Sequence, residues 1–467
     1  MAKKRVSRRE VVADELSDID LGDSRRTARG KAVADRMAAA PEASLPVAMK
    51  DRAMLEALYR HLSSEGVDFQ GILTSHLARS GRRVAGAATD VYVAHDTTAC
   101  TFSGEAERDG VGVVNGEKQG FFAHVSLAVA ADGKRTPLGL LAAELFTREG
   151  ARDIEGNEAQ RWNRGVAASA ERTAGCRRVV HVADREGDAY SLLAELSTKG
   201  HRFIVRAKEN RVVEIEGTGR THLFDAAQET RQAYALEVPV AKRGGKRHGA
   251  ARRVHPDRDA RLANLTFAAL PVTLKRPTKN APPGAPARLQ LNAVHVFEVA
   301  TPAGEKPIEW LLLTSEPIDT KEQIAAVIEG YRTRWTVEEY FKALKTGCAF
   351  EERQLESFRS LTNLLAYSLI IAYALLLLRA LSRSKVDLPA DALLTSDQLV
   401  CLGVMTKREK KKLATAAQVL DAIAELGVHL KSNGLPGWRV LSRGWQRLLD
   451  FEAAYQAMKG AGLVINR

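Results

Sequence analysis

The order of hydrophobic patterns along this chain predicts an α/β protein with helical segments at both ends. Three observations carry that expectation. Two short apolar runs, DVYVAHDTT and RRVVHVAD, each end on an aspartate, Asp96 and Asp184. Helical periodicity separates them, as in sheets with crossover connections. Between about 210 and 317 the pattern becomes all-β, with LTFAALPVTL, LQLNAVHVFEV and EWLLLTS set apart by breakers such as PTKNAPPGAP.

Residues 1 to about 70 read as helical and basic. In LGDSRRTARGKAVADRM, Asp23 or Ser24 can cap a helix carrying Arg25, Arg26 and Arg29 in its first turns. Such a helix start favours phosphate, although a solvated helical face has the same pattern. DRAMLEALYRHL, from Asp51, is a second helix. FFAHVSLAVA and TPLGLLAAELF read as strands joined by ADGKR, and Glu158 to Arg172 as a helix. A short helix and the strand in HRFIVRAKENR follow Asp184. The connector from Lys242 to Arg261 holds eight Lys/Arg against two Asp and reads as a mobile basic arm suited to nucleic acid. Leu- and Ala-rich helices, with the basic TKREKKK at Thr406, fill the C-terminal part.

With 467 residues the chain has room for two to four domains. Hydrophobic content of 45% with 27% charge is that of a folded globular protein and excludes a disordered one. A net charge of +12 points to a polyanionic partner. Cys100, Cys176, Cys348 and Cys401 are scattered, with no CxxC pair, so neither a zinc site nor a disulfide framework is signalled and a reducing compartment is the simplest setting. The basic N-terminus lacks the apolar stretch of a secretory signal. The run Leu364 to Leu378 falls short of the roughly 20 residues that span a bilayer and reads as a buried core helix.

Chemistry concentrates in YRTRWTVEEYFKALKTG. As one α-helix at about 100° per residue, it would gather Tyr331, Arg334, Glu338 and Lys345 within an arc of about 60°, with Lys342 close by. Val337, Tyr340, Phe341 and Leu344 would form a separate, buried face. A charge-laced surface helix fits the segment taken alone. The conjunction with Asp96 and Asp184 is less ordinary, since strand ends are where α/β sheets place catalytic groups. Three carboxylates without clustered His or Cys suit hard Mg²⁺ or Mn²⁺ rather than zinc. Two such ions about 3.5–4 Å apart can assist in-line displacement at phosphorus. His95 and His181 beside the two aspartates read as structural, and Cys348 as a packed thiol.

These residues resemble the DDE transposases of cut-and-paste bacterial insertion sequences, specifically the transposon-five transposase group. The Tyr-x2-Arg-x3-Glu-x6-Lys signature stands here as Tyr331, Arg334, Glu338 and Lys345. Further likeness runs through LGDSRRTAR, HDTT, ADREGDAY, FIVRAKENR and EWLLLTSEP, from about Leu16 onward. The resemblance implies an RNase H-like catalytic core at 71–369 with a β-rich insertion at about 210–317. A helical end-binding domain at 1–70 would precede it, and a helical domain at 370–467 would serve dimerisation. It makes Asp96, Asp184 and Glu338 the metal-binding triad, with Mg²⁺ (or Mn²⁺) as cofactor, two ions in all. It assigns Tyr331, Arg334, Lys342 and Lys345, together with Arg206, Lys208 and Arg211, to the DNA backbone. Trp310 would stack on a flipped base, and Arg25, Arg26 and Arg29 would bind transposon ends. Double-stranded DNA, as transposon ends and target, is the expected partner, with a homodimer in the DNA complex, no membrane, and a bacterial cytoplasm as location. Two other outcomes stay open: a domesticated DNA-binding protein without activity, and an RNase H-like nuclease without strand transfer.

Overall fold

The computed structural model describes residues 8–104, 107–114, 118–149, 152–153, 160–240, 259–278, 284–383, 389–430 and 436–462. The leader before Arg8 and most of the basic arm, 241–258, lie outside the described residues. Five helices come first: α1 (Arg8–Glu15), α2 (Ser24–Ala39), α3 (Leu45–Met49), α4 (Arg52–Ser63) and α5 (Phe69–Ala85). Asp23, Asp51 and Asp68 cap α2, α4 and α5, each accepting a backbone N–H three residues on.

Strands β1 (Val91–Thr101), β2 (Gly112–Val114), β3 (Lys118–Ala130), β4 (Pro137–Phe146), β5 (Arg148–Glu149) and β6 (Arg152–Asp153) follow. Then come α6 (Arg161–Arg172), β7 (Val179–Ala183), α7 (Tyr190–Thr198) and β8 (Arg202–Arg206). The β-rich stretch contains β9 (Val212–Ile215), β10 (Gly219–His222), β11 (Gln232–Val240), β12 (Arg261–Lys275), β13 (Arg288–Val299) and β14 (Glu309–Thr314). It also holds a helix that the breaker pattern did not reveal, α8 (Leu223–Glu229), whose Leu223, Ala226 and Ala227 are buried.

All strands except β5 and β6 join one mixed sheet of order β10-β9-β12-β13-β14-β8-β7-β1-β3-β2, with β4 added to β3 and β11 to β12. β3 lies antiparallel to β1 and to β4, while β7 runs parallel to β1 and β8 parallel to β7. β14 pairs antiparallel with β8, so the β-rich stretch continues the same sheet.

After β14 the chain is helical: α9 (Lys321–Thr333), α10 (Trp335–Lys342), α11 (Phe358–Arg383), α12 (Ser396–Thr406), α13 (Ala416–Leu426) and α14 (Trp438–Gly460). α11 is long and apolar enough to cross a membrane by length and composition. Its residues from Leu361 to Ala374 are nevertheless almost wholly buried, in one core with α1–α5, β1, β3, β4 and α10. Leu- and Ala-rich all round, it is a helix for the middle of a protein. His61 Nε2 meets the Tyr367 hydroxyl at 2.8 Å, and Asn363 donates to the Leu62 and Val67 carbonyls. Residue 370 falls inside α11, so the division expected there cuts one continuous helix. A separate cluster among α12, α13 and α14 forms only beyond it.

Candidate active site

Backbone register sets the site. The parallel pairing of β1 with β7 ends at His95 opposite Ala183. Asp96, still within β1, and Asp184, the first residue past β7, directly follow that last pair, and the charge of Asp184 is felt at the Asp96 carboxyl. Asp184 ends its strand as read from the sequence and accepts the Glu186 N–H at 2.8 Å. Asp96 does not: β1 continues to Thr101, because Thr97, Thr98 and Thr101 are β-branched and stay paired with β3. What ends at Asp96 is the parallel ladder, not the strand.

Below this level the strands are tied by buried histidines. His95 Nε2 meets His181 Nδ1 at 2.9 Å, and the Ser126 hydroxyl meets His95 Nδ1 at 2.8 Å. Burial and the neighbouring His124 push His95 down to about 3, and burial pulls His181 well below its ordinary value. Both rings are therefore neutral at physiological pH and structural, as expected.

The YRTRWTVEEYFKALKTG segment is not one uninterrupted α-helix. α9 closes at Thr333, Arg334 joins it to α10, and Ala343–Gly347 form a π-helical turn. The apolar face holds: Val337, Tyr340, Phe341 and Leu344 are buried, and the Tyr340 hydroxyl donates to the Leu369 carbonyl at 2.9 Å. That packing fixes the opposite face above β1. Arg334 spans the site, with Nη1 donating to Asp96 Oδ2 and Nη2 to Glu338 Oε1, both at 2.8 Å. The Arg334 side chain is 9% exposed, against 17% for Asp96 and 32% for Glu338. Burial raises the Asp96 carboxyl to about 7; Arg334 opposes this, while the charges of Asp184 and Glu338 add to it. All three carboxylates thus share one electrostatic neighbourhood. Their oxygens are hard donors of the kind that divalent cations take. Among the described residues, however, no three His, Cys, Asp or Glu side chains stand close enough together to hold a metal ion. The donor chemistry fits a divalent cation, and Arg334 sits between two of the donors.

The expected DNA contacts divide by placement. Tyr331 faces inward at 2% exposure, edge-on to the half-buried Trp310 at 5.6 Å between ring centroids. The helix turn before Arg334 is packed against β14, so the Tyr331 ring lies inside the protein. Trp310 itself lies within β14, opposite Val296. Arg206 donates to the Glu309 carbonyl at 3.0 Å, and Arg211 is engaged internally by the buried Asp188. Lys208 is exposed. Lys342 pairs with Glu339 at 2.8 Å, turned from Glu338. Lys345 donates to the Ala99 carbonyl and pairs with Glu351 at 3.2 Å. Arg25 and Arg29 are exposed at the start of α2, whereas Arg26 is spent on the Leu21 and Gly66 carbonyls.

Several contributing residues gave no sequence signal. Arg161 on α6 is buried, donates to the Thr97 hydroxyl at 3.0 Å and pairs with Glu186 at 2.9 Å, tying the loop after Asp184 to β1 beside Asp96. Glu351 accepts both the N–H and the hydroxyl of Thr101. Glu339 holds Arg379 of α11 at 2.6 Å and the Trp438 indole of α14 at 3.1 Å. Trp335 is 50% exposed beside Arg334, the large aromatic face open to solvent at this site. Its place in the signature, between Arg334 and Glu338, was the available clue. Beyond Lys345 a groove of about 860 Å³ is walled by Thr101, Lys118, Lys345, Arg439 and Arg443.

Two transposase family models match this chain. Residues 8–67 match the family described as "Transposase DNA-binding", and residues 155–375 match "Transposase DDE domain". The first match contains Arg25, Arg26 and Arg29; the second contains Asp184 and Glu338 and begins after Asp96. Among solved structures, the chain is similar to the piggyBac transposase in its synaptic complex with hairpin DNA, at 10% identity and a TM-score of 0.36, covering 98% of this chain and 75% of that one. At that TM-score the likeness carries no part of the assignment. A DNA-binding segment and a DDE domain, both of transposase type and following one another along a single chain, place this protein among the DDE transposases.

Proposed function

We propose that the protein carries out cut-and-paste transposition of a bacterial insertion sequence: end cleavage through a hairpin intermediate, then strand transfer to target DNA. The observation that carries this reading is that Asp96 and Asp184 each directly follow the last paired residues of two adjacent parallel strands, with Glu338 joined to Asp96 through Arg334. The strand order β4-β3-β1-β7-β8 supports an RNase H-like core, into which β9–β14 are inserted. The signature residues support membership of the transposon-five group.

On this reading Asp96, Asp184 and Glu338 would hold two Mg²⁺ ions, or Mn²⁺ in their place. Bound there, the ions would supply charge neutralisation at the scissile phosphate and a more acidic attacking group. The chain's own residues do the rest. The β1–β7 ladder fixes two carboxylates in register, and α10 brings the third. Arg334 and Lys345 offer a fork and a point charge to the DNA backbone, and Lys208 extends that cationic path. Trp335 and Trp310 offer ring faces to an unstacked base, where stacking contributes about 1–3 kcal/mol. Arg25 and Arg29 would read the ends, and α12–α14 would pair two copies of the chain on two DNA ends.

The test uses purified protein, a duplex bearing the element's terminal sequence, and Mg²⁺. Nicked, hairpin and joined products are expected in that order. Retardation without nicking would leave a DNA-binding protein, and hydrolysed ends without joined product would leave a nuclease. An unchanged cleavage rate in Glu338→Ala would remove Glu338 from the site.

A further inference from the structure

We propose that Arg334 is an internal counterion that closes the carboxylate site in the DNA-free protein and leaves it when a DNA backbone offers an alternative partner. The proposal rests on the reading of Asp96, Asp184 and Glu338 as metal ligands, and assigns Arg334 a positioning and gating role beyond simple contact with DNA.

Four observations carry it. Both Asp96 oxygens are already committed, Oδ1 to the Thr97 N–H and Oδ2 to Arg334 Nη1. Glu338 Oε1 is committed to the other arm of the same guanidinium. An arriving divalent cation therefore competes with Arg334 for Asp96 Oδ2 and Glu338 Oε1, and among the described residues no three-ligand cluster stands ready. Second, the seat is imperfect: Arg334 Nε is buried without a hydrogen-bond partner among the described residues, a donor that costs free energy until it is matched. Third, another cation lies within reach of its field, since Arg334 is among the charges that act on Arg206. Divalent charge added to this cluster would repel the guanidinium. Fourth, the route out is lined. Trp335, half exposed, lies 5.8 Å from the Arg334 guanidinium carbon, and Tyr331 lies 5.9 Å from it on the inner side. A guanidinium can move along an aromatic face without losing all of its attraction.

A phosphodiester presents the same two-oxygen target to the Arg fork as the carboxylate pair does. DNA would draw Arg334 away and release Asp96 and Glu338 together, so that the carboxylates become available to cations when substrate is in place. Linkage then requires DNA to raise cation affinity by the factor by which the cation raises DNA affinity.

The experiment measures Mn²⁺ binding directly, by the loss of the free-ion paramagnetic resonance signal, with and without a saturating DNA duplex. Wild type is expected to bind Mn²⁺ at least about tenfold more tightly with the duplex present, a change of about 1.4 kcal/mol. Arg334→Gln is expected to bind Mn²⁺ about that tightly without DNA, and to respond little when DNA is added. Circular dichroism establishes that the variant folds; should it not, the wild-type comparison alone decides. Equal Mn²⁺ affinity in wild type and variant, indifferent to DNA, would overturn the gate and leave the metal site standing. Mn²⁺ binding that is unaltered in Asp184→Asn would overturn the metal-ligand reading itself, and the gate with it.

Discussion

Asp96 sums up the conflict at this site. Its carboxyl is held near 7, above its ordinary 3.8, because burial and two neighbouring carboxylates outweigh the help of Arg334. Ionising it therefore opposes folding. That penalty is absent below about pH 4, grows as pH rises through the interval to 7, and is complete above it. In the presence of a chelator, wild type should lose roughly 2–4 kcal/mol across that window. Asp96→Asn should show a flatter thermal-unfolding profile between pH 5 and 8, and parallel profiles would refute the assignment. Arg161 has the opposite character, a buried cation satisfied by Thr97 and Glu186. Arg161→Leu should cost about 1–3 kcal/mol, and should slow DNA cleavage by loosening the turn after Asp184. The two aspartates were legible because an acid closing a buried apolar run is chemically conspicuous. Arg161 was not, since its partners lie 64 and 25 positions away along the chain, a pairing that local pattern cannot express.

The helical elements around Glu338 show where periodicity succeeds and where it stops. The buried face of α10 follows from spacing alone, and so does the burial of α11. The break at Arg334 and the π-helical turn at Ala343–Gly347 do not, because no Pro or Gly marks the first and the second depends on tertiary contacts. Lys345 reaches the Ala99 carbonyl from within that turn. Glu339 secures α10 from the other side through Arg379, Lys342 and Trp438. Glu339→Gln should lower stability by about 1–3 kcal/mol, and hydrogen exchange should show faster opening of both α10 and the first turns of α14. Leu344→Ala, which empties a buried position in the turn, should cost about 2–5 kcal/mol, measured by chemical denaturation.

At the scale of the whole molecule the sequence pattern gave the mixture of strands and helices but not their assembly. The β-rich stretch read as an insertion at about 210–317, with no sign in the pattern of where it attaches; hydrogen bonds from β14 to β8 make it an extension of the sheet that bears the two aspartates. Likewise α1–α5 share a core with α11, a union between residues some 300 positions apart that only folding reveals. The net charge of +12 belongs to this scale too. DNA affinity should fall steeply as salt is raised, with a logarithmic slope near −0.9 for each phosphate neutralised. Arg25→Ala and Arg29→Ala together should flatten that slope by about two, whereas Arg26→Ala should change it little because its guanidinium is occupied at home.

The pairing of β8 with β14 has an architectural consequence. The chain leaves β8 at Arg206 and, after the strands that extend the sheet outward, lies beside that residue again at Leu312 of β14. Whatever happens along the excursion, its point of departure and its point of arrival are fastened to each other. Residues can be gained or lost in the far hairpins without altering the distance from Asp184 to Glu338, so this lineage is free to lengthen, trim or redecorate that excursion while the chemistry beneath it stays put.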